Sequence, residues 1–193
     1  MSTNQDQRLI KLILDGNVDA FAQLVEKYKH MVYTIAFRMV KRHEDAEEVS
    51  QDVFLNVHKN LRKFKKQSKF SSWLYRIAYN RALDHLKSNR NSIMVAMDSY
   101  EKSNEPLDDE IIRGFELEDR KMVVKDALRQ LSPQDNALMV FFYFEELSLK
   151  EISKITEIKE NAIKVRLYRS RQRLAEILSK KMTTETIKCY GKR

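Results

Sequence analysis

The sequence contains few residues that break helices and almost no cysteine. Its 193 residues include three glycines, two prolines and one cysteine, Cys189. The scarcity of glycine and proline argues against an all-β chain, which needs many tight turns. A single cysteine excludes an internal disulfide and a multi-cysteine zinc site. The longest apolar run, Ala137 to Phe144, has eight residues, far fewer than the roughly 20 that span a bilayer, so we expect an all-α chain with no membrane insertion of its own.

Signals for export and for catalysis are also missing from the sequence. The N-terminal segment has no basic head followed by a long apolar stretch and a cleavage site, so we expect a cytoplasmic protein. No phosphate-binding glycine loop is present. We therefore expect no enzymatic activity, no catalytic residue, no metal and no cofactor. The four histidines have no metal-ligand spacing; they are His30, His43, His58 and His85.

Charge divides the chain into segments of opposite sign. The net charge of +8 combines +8 in residues 21–90, −7 in residues 91–119 and +7 in residues 157–193, with small contributions elsewhere. We predict two small helical domains, 1–90 and 120–180, joined by a flexible acidic linker, 91–119, and followed by a basic tail, 181–193. The alternative for 91–119 is a long acidic loop inside one domain, which is uncommon in compact folds.

Apolar residues recur at helical spacing on both sides of the acidic segment. A short helix ends at the turn signal around Gly16, and Asp19 is placed to cap the long helix that follows. The third helix starts near Glu44 and the fourth near Ser71 or Ser72. The stripe that predicts the third helix contains Ala46, Val49, Val53, Val57 and Leu61.

The C-terminal third carries clear signals for helix starts. Ser132 before Pro133 marks the start of a helix whose apolar run, Ala137 to Phe144, predicts burial between other helices. Ser148 and Glu151 form a capping box at the start of a short helix. A turn then leads to a long basic helix from about residue 160 to 179. A short helix, a turn and a basic helix predict a helix-turn-helix.

The last helix separates into two faces. Its core face is predicted to hold Ile163, Leu167, Ser170 and Leu174. The opposite face combines an amide, cations, an aromatic ring and a small apolar group, which are the groups that read base edges in a major groove. Cations at the sides of the helix suit phosphates. The alternative interpretation is that this basic face of the helix is simply exposed to solvent and reads no DNA. The predicted DNA-binding residues here are Asn161, Lys164, Val165, Arg166, Tyr168, Arg169 and Arg171.

Residues 61–90 interleave cations with aromatic rings. Cations can follow a phosphate backbone while flat rings stack on unpaired bases, and Asn80 can hydrogen-bond an extruded base edge. The alternative is that Phe70 and Trp73 are core anchors and that the lysines are solvated. The preceding helix is acidic over its first turns, which suits the helix dipole or a basic protein partner.

These segments resemble one family. The stretch from Asp45 to Phe54, DAEEVSQDVF, resembles a motif of bacterial RNA polymerase sigma factors of the extracytoplasmic-function type, in the sigma-70 family. The stretch from Phe70 to Asp84, FSSWLYRIAYNRALD, resembles the second hallmark of that family. Leu131–Pro133 and Ser148–Arg173 resemble its C-terminal DNA-reading domain. The resemblance covers about residues 8–180, in the order of the family.

The resemblance implies a role for each surface. The chain would bind core RNA polymerase at the β′ clamp and the β subunit, melt and hold the −10 promoter element and read the −35 element with the last helix. It also implies promoter DNA and an anti-sigma factor as partners. Core binding would use Asp45, Glu48, Gln51, Asp52 and Phe54. The −10 element would be held by Lys63, Phe64, Lys65, Lys66, Phe70, Ser71, Trp73, Arg76 and Asn80.

The alternative function is a stand-alone helix-turn-helix regulator, which would dimerise on palindromic half-sites. This hypothesis leaves the acidic helix and the aromatic-basic segment without a function. A nuclease is the third possibility, and the histidine pattern argues against it.

Overall fold

A computed structural model describes the backbone of residues 3–64, 68–95, 124 and 126–190. Every regular element in these ranges is helical, which confirms the predicted all-α class. The described residues up to 95 are called the N-terminal lobe, and those from 126 to 190 are called the C-terminal lobe.

Four helices build the N-terminal lobe: α1 (Thr3–Leu14), α2 (Val18–Val40), α3 (His43–Asn60) and α4 (Phe70–Val95), with a 3₁₀ turn at Leu61–Lys63. The predicted stripe of α3 is buried from Ala46 to Val57, and Leu61 continues it from the 3₁₀ turn. Since α2 packs against α1, α3 and α4, it is the central helix of this lobe.

The start of α2 differs from the prediction. Asn17, and not Asp19, is its N-cap residue, and the Asn17 side chain accepts a hydrogen bond from the amide of Ala20 at 2.9 Å. Asp19 lies inside the first turn of α2, where its charge is favourable to the helix dipole. Both residues are good N-caps, so the residue types alone do not separate them.

Three helices, α5 (Pro133–Tyr143), α6 (Leu149–Thr156) and α7 (Glu160–Tyr190), form the C-terminal lobe together with helical residues 126–129. Ser132 caps α5 with Pro133 in its first turn, and Ser148 and Glu151 form the predicted capping box of α6. Glu157 ends α6 in a left-handed conformation, with φ of 62°. The α6–turn–α7 unit is the predicted helix-turn-helix.

The apolar run of α5 is only partly buried. Residues from Ala137 to Phe141 are inside the core, whereas Tyr143 and Phe144 are exposed. The prediction of burial for the whole run was therefore wrong at its end, because α5 stops at Tyr143 and the last two rings lie past the covered part of the helix.

The two lobes share one hydrophobic core. Helix α2 contacts α5, and α4 contacts α6. The ring of Phe141 lies edge-on to Tyr75 at 5.3 Å and 6.2 Å from Tyr79, measured between ring centroids. All three rings are buried, so the C-terminal lobe covers part of α4.

Two helices extend past their predicted ends. Helix α4 continues to Val95, into the segment predicted as linker, and α7 continues to Tyr190, into the predicted tail. The remainder of the predicted linker up to residue 119 lies outside the described residues. In the ranges that the structure describes, no helix is both long and apolar enough to cross a bilayer.

Candidate nucleic-acid and polymerase interface

The acidic part of α3 has an exposed side and a side that faces α4. Glu48 and Gln51 are exposed, while Asp45 and Asp52 are half-buried. The guanidinium of Arg81 on α4 donates to Asp52 Oδ2 from Nη2 at 2.5 Å and from Nε at 3.1 Å. The bond pairs Asp52 with the helix predicted to contact DNA.

Asp45, two turns before Asp52 on α3, also lies near a residue of α4. His85 Nε2 on α4 lies 3.6 Å from Asp45 Oδ2. The ion pair with Arg81 holds α3 against α4, so the charge of Asp52 is not wholly available to a partner. Glu48 is the exposed carboxylate in the predicted set.

An apolar groove lies beside this acidic surface. It is lined by residues of α2 and α3, which are Val25, Lys29, His30, Tyr33, Glu47, Ser50, Gln51 and Phe54. Leu55 is exposed on the next position of α3. Phe54, predicted to bind polymerase, is therefore half-buried in a mainly apolar groove that also contains polar groups of both charge signs, a surface that suits an amphipathic helix.

The aromatic residues at the start of α4 form a cluster. The Phe70 ring lies 5.4 Å from Tyr28, 5.6 Å from Phe64 and 5.7 Å from Trp73 between centroids. Phe70 is only 3% exposed. Its buried ring packs in the core, which is the position that the alternative interpretation of the sequence gave it.

The other residues predicted at the −10 element are more accessible. Trp73, Ser71, Phe64 and Asn80 are half-buried. The side chains of Lys63 and Arg76 are exposed. Lys65 and Lys66 lie outside the described residues.

Two rings of the aromatic-basic segment do not face solvent. Tyr75 and Tyr79 are both buried below Phe141 of α5, so neither is available to stack on a base. Burial raises the pKa of the Tyr75 hydroxyl, and so does its hydrogen bond to the Glu145 carboxylate. Sequence periodicity could not show this, because the covering residues are more than 60 positions away.

The side of α4 that carries Arg76 faces α6. Arg76 forms an ion pair with Glu157, the residue that ends α6. The cavity between the two helices is lined by Lys69, Ser72, Trp73 and Arg76 on one side and by Glu151, Ser153 and Lys154 on the other.

Helix α7 presents the predicted recognition face to solvent. Val165 is 48% exposed and Tyr168 is 54% exposed, and Asn161, Lys164 and Arg169 are exposed beside them. The Gln172 amide donates to the Tyr168 hydroxyl at 2.7 Å. The opposite face is buried as predicted at Ile163, Leu167 and Ser170.

Arg166 differs from the other cations of α7. Its Nε donates to Asp135 Oδ1 at 2.7 Å and its Nη2 to Gln134 Oε1 at 3.1 Å, both in the first turn of α5. These bonds tie α7 to α5 and engage the guanidinium of Arg166, a residue that was predicted to contact DNA. Arg171 is exposed, and its guanidinium lies 6.0 Å from the centroid of the Tyr168 ring.

Among the residues that the structure describes, no group of three or more His, Cys, Asp or Glu side chains is arranged to hold a metal ion. The surfaces on α3, at the start of α4 and on α7 instead carry charged groups and aromatic rings. These are features of surfaces that bind a protein or a nucleic acid.

Two family models match separate parts of the chain. The model described as "Sigma-70 region 2" matches residues 24–92, and "Sigma-70, region 4" matches residues 121–174. The first contains the acidic helix and the aromatic-basic helix, and the second contains the helix-turn-helix.

Curated relatives are similar over most of the chain. The ECF RNA polymerase sigma factor SigW of Bacillus subtilis is 29% identical, with 89% of this chain and 96% of the relative covered. The RNA polymerase sigma-H factor of Pseudomonas aeruginosa is 26% identical, with 92% and 96% covered.

Solved structures share the fold. The sigma factor RpoE from Bartonella quintana, in complex with the anti-sigma factor NepR, is 21% identical with a TM-score of 0.68, covering 84% of this chain and 98% of that one. CnrH, in complex with the cytosolic domain of CnrY, is 21% identical with a TM-score of 0.61, covering 91% and 98%. With both matched regions in order and relatives that align end to end, the chain belongs to the sigma-70 family of bacterial RNA polymerase sigma factors and, within it, to the extracytoplasmic-function type.

Proposed function

We propose that the chain is a promoter-specificity subunit that binds core RNA polymerase through α3, holds the −10 element with the start of α4 and reads the −35 element with α7. It would carry out no chemistry of its own and would act in the cytoplasm. One observation supports this most strongly: regions 2 and 4 of the sigma-70 family occur together in one chain. Region 2 includes the acidic surface of α3 and the start of α4, and region 4 includes the exposed face of α7.

Core binding is assigned to the exposed side of α3 and the adjoining groove. Glu48 and Gln51 offer an anionic and a hydrogen-bonding group to a basic partner, and Phe54 offers an apolar contact. Nucleic acid would be repelled by this surface, so a protein partner fits better. The partner we propose is the β′ clamp, with the β subunit as a second contact.

The −10 element is assigned to the loop before α4 and the exposed side of that helix. Lys63 and Arg76 supply cations for a phosphate backbone, Trp73 supplies a ring, and Asn80 supplies an amide that can pair with an extruded base. Phe70 would support this site from the core by holding Phe64 and Trp73 in place.

The −35 element is assigned to α7. Arg169 and Lys164 are suited to guanine, Asn161 to adenine, and Val165 to the methyl group of thymine. The valine is a departure from the small polar residue more usual at this position in the family, and it predicts a preference for thymine at the base it contacts.

Regulation by a separate protein is part of the proposal. The RpoE structure named above was solved with an anti-sigma factor bound. We propose that a comparable anti-sigma factor binds this chain.

Two variants separate the proposed roles. Arg169→Ala removes a base contact worth about 1–3 kcal/mol, so transcription from the cognate promoter should fall at least about fivefold while co-purification with core polymerase is unchanged. Arg8→Ala, which removes an exposed arginine of α1 outside the assigned surfaces, is the matched control. Equal loss of core binding in Arg169→Ala would contradict the assignment of α7.

The second variant, Glu48→Arg, reverses a charge on the exposed side of α3. Association with β′ should weaken, since the docking surface loses a negative charge and gains a positive one. Asp84→Arg makes a charge reversal on an exposed residue of α4 and should leave association unchanged. Normal co-purification of the Glu48→Arg chain with β′ would rule out the role of α3.

The stand-alone regulator is tested by a gel shift with free protein. It predicts binding to duplex DNA in the absence of polymerase, and as a dimer. The sigma factor proposed here needs core enzyme to form a stable promoter complex.

A further inference from the structure

Arg166 lies at the border between the two faces of α7. Since one turn of an α-helix holds about 3.6 residues, Arg166 is about 60° around the helix from the buried Ile163 on one side. It is about 60° from the exposed Arg169 on the other side. The phosphates of a DNA backbone run along the sides of a helix that enters the major groove, so a side chain at this border is placed to meet one of them.

The first turn of α5 holds the Arg166 guanidinium along one edge. That edge consists of Nε, bonded to Asp135 Oδ1 at 2.7 Å, and Nη2, bonded to Gln134 Oε1 at 3.1 Å. The Nη1 group on the opposite edge donates to no residue that the structure describes. Because an arginine has five N–H donors and two are used here, three donors of Arg166 remain for a ligand.

The Asp135 carboxylate is itself held from its other side. Ser132 Oγ donates to Asp135 Oδ2 at 2.6 Å, and the same Oγ accepts a hydrogen bond from the Asp135 amide at 3.2 Å. Each carboxylate oxygen therefore has its own donor, Ser132 for Oδ2 and Arg166 for Oδ1. A rotation of the carboxylate away from Arg166 would break a hydrogen bond at both ends, so the orientation of the guanidinium depends on the N-cap of α5.

A guanidinium with one edge fixed and the other edge free is suited to a phosphate oxygen. Arginine binds phosphate through neighbouring N–H donors in a planar fork. An unrestrained arginine side chain loses much of its rotamer freedom when it makes such a contact. Arg166 is already ordered by Asp135 and Gln134, and its side chain is still 28% exposed. Neither of the two α5 residues belongs to a surface assigned to DNA or to polymerase.

We propose that Asp135 and Gln134 are positioning residues that hold Arg166 against a phosphate at the edge of the −35 element. Arg166 touches the phosphate, and the two α5 residues act through it without touching DNA. The inference rests on the proposed function of α7. The Asp135 carboxylate is bonded to Nε, so it leaves the Nη1 group of Arg166 open to the phosphate.

The test uses holoenzyme made from purified core polymerase and the full chain. It binds promoter duplexes in which single phosphates around the −35 element are replaced by neutral methylphosphonates. Replacement of a contacted phosphate should weaken binding about tenfold, the size expected for a hydrogen bond to a charged group. At one of these positions, Arg166→Ala should abolish the effect of the replacement. On unmodified DNA, the same variant should reduce the slope of log affinity against log salt by about 0.9.

Variants of the two α5 residues test the positioning role. Asp135→Ala leaves Arg166 in place without its ion-pair partner. Promoter binding should weaken about threefold, because the guanidinium then has to be ordered on binding, and the effect of the methylphosphonate at the Arg166 position should shrink. Asp135→Asn keeps an oxygen that accepts from Nε, so it should restore binding to within about twofold.

Two further variants guard against a general loss of folding. Gln134→Ala removes the second bond to Arg166 but leaves the contacts between Ser132 and Asp135 in place, and it should weaken binding about twofold. Asp126→Ala is the matched control, because it removes another aspartate of the C-terminal lobe that lies near an arginine, Arg129, at 3.7 Å. It should bind the promoter like the unmodified chain.

The outcomes separate this inference from the proposed function. A methylphosphonate profile that is the same for the unmodified and Arg166→Ala chains would overturn the phosphate contact. Equal or tighter binding by Asp135→Ala would overturn the positioning role, since tighter binding means that Asp135 competes with DNA for Arg166. In either case the assignment of α7 stands if Arg169→Ala still weakens promoter binding. If no holoenzyme binds a promoter, the proposed function fails and this inference fails with it.

Discussion

Truncation of Phe141 to alanine tests whether the two lobes are energetically coupled. The side chain is fully buried in α5 and lies against two rings of α4. Phenylalanine-to-alanine changes in a core cost about 3–5 kcal/mol in free energy of unfolding. The two ring contacts across the lobe boundary account for about 1–3 kcal/mol of this, at about 0.5–1.5 kcal/mol for each aromatic pair.

The sequence provides a reporter in the other lobe. Trp73 is the only tryptophan and lies at the start of α4, so its fluorescence follows the N-terminal lobe. With a urea dependence of about 2 kcal/mol per molar, the loss of the cross-lobe contacts, about 1–3 kcal/mol, should lower the Trp73 midpoint by about 0.5–1.5 M. Circular dichroism in the same titration follows all helices.

The control is Tyr143→Ala, which removes an exposed ring two residues further along α5 whose neighbour is Phe142. Its Trp73 midpoint should match that of the unmodified chain. If Phe141→Ala lowers only the circular-dichroism midpoint and leaves the Trp73 midpoint in place, the two lobes are not energetically coupled.

Two further predictions concern contacts inside each lobe. Asp6→Ala should lower the free energy of unfolding by about 2–3 kcal/mol in chemical denaturation. The reason is that the buried Asp6 carboxylate accepts hydrogen bonds from Tyr28 at 2.9 Å and from Lys27 at 2.6 Å. A loss below about 0.5 kcal/mol would refute the role of Asp6 in holding α1. Hydrogen bonds from Ser148 lower the pKa of Glu151, so the bonded carboxylate stabilises the fold above the usual glutamate pKa of about 4.5 and this contribution disappears as pH falls through the lowered value. Glu151→Gln should therefore be less stable than the unmodified chain at pH 7, with a deficit that shrinks at acid pH, and a deficit independent of pH would contradict the capping box.

Local features of the fold could be predicted from the sequence. The stripe of α3 and the core face of α7 follow from helical spacing, and Ser132 and Ser148 act as the caps that their positions indicate. These features depend on residues within one or two turns of each other. Such interactions are visible in a sequence because their geometry is fixed by the helix itself.

Contacts between distant segments could not be predicted in the same way. Burial of Tyr75 and Tyr79 depends on α5, and the anchoring of Arg166 depends on residues about 30 positions earlier. An aromatic or basic residue suits DNA and a core equally well by type, so only the tertiary packing separates the two. The end of α7 was missed for another reason: apolar residues become sparse after Leu178, while the helix-stop signal, Gly191, lies much further along the sequence.

The most direct test of the central claim is transcription with purified core polymerase and this chain on fragments of its own genome. The account predicts RNA that starts at defined positions only when both components are present, with start sites that share two upstream elements at the −10 and −35 positions. Start sites that are the same with and without the chain would contradict it.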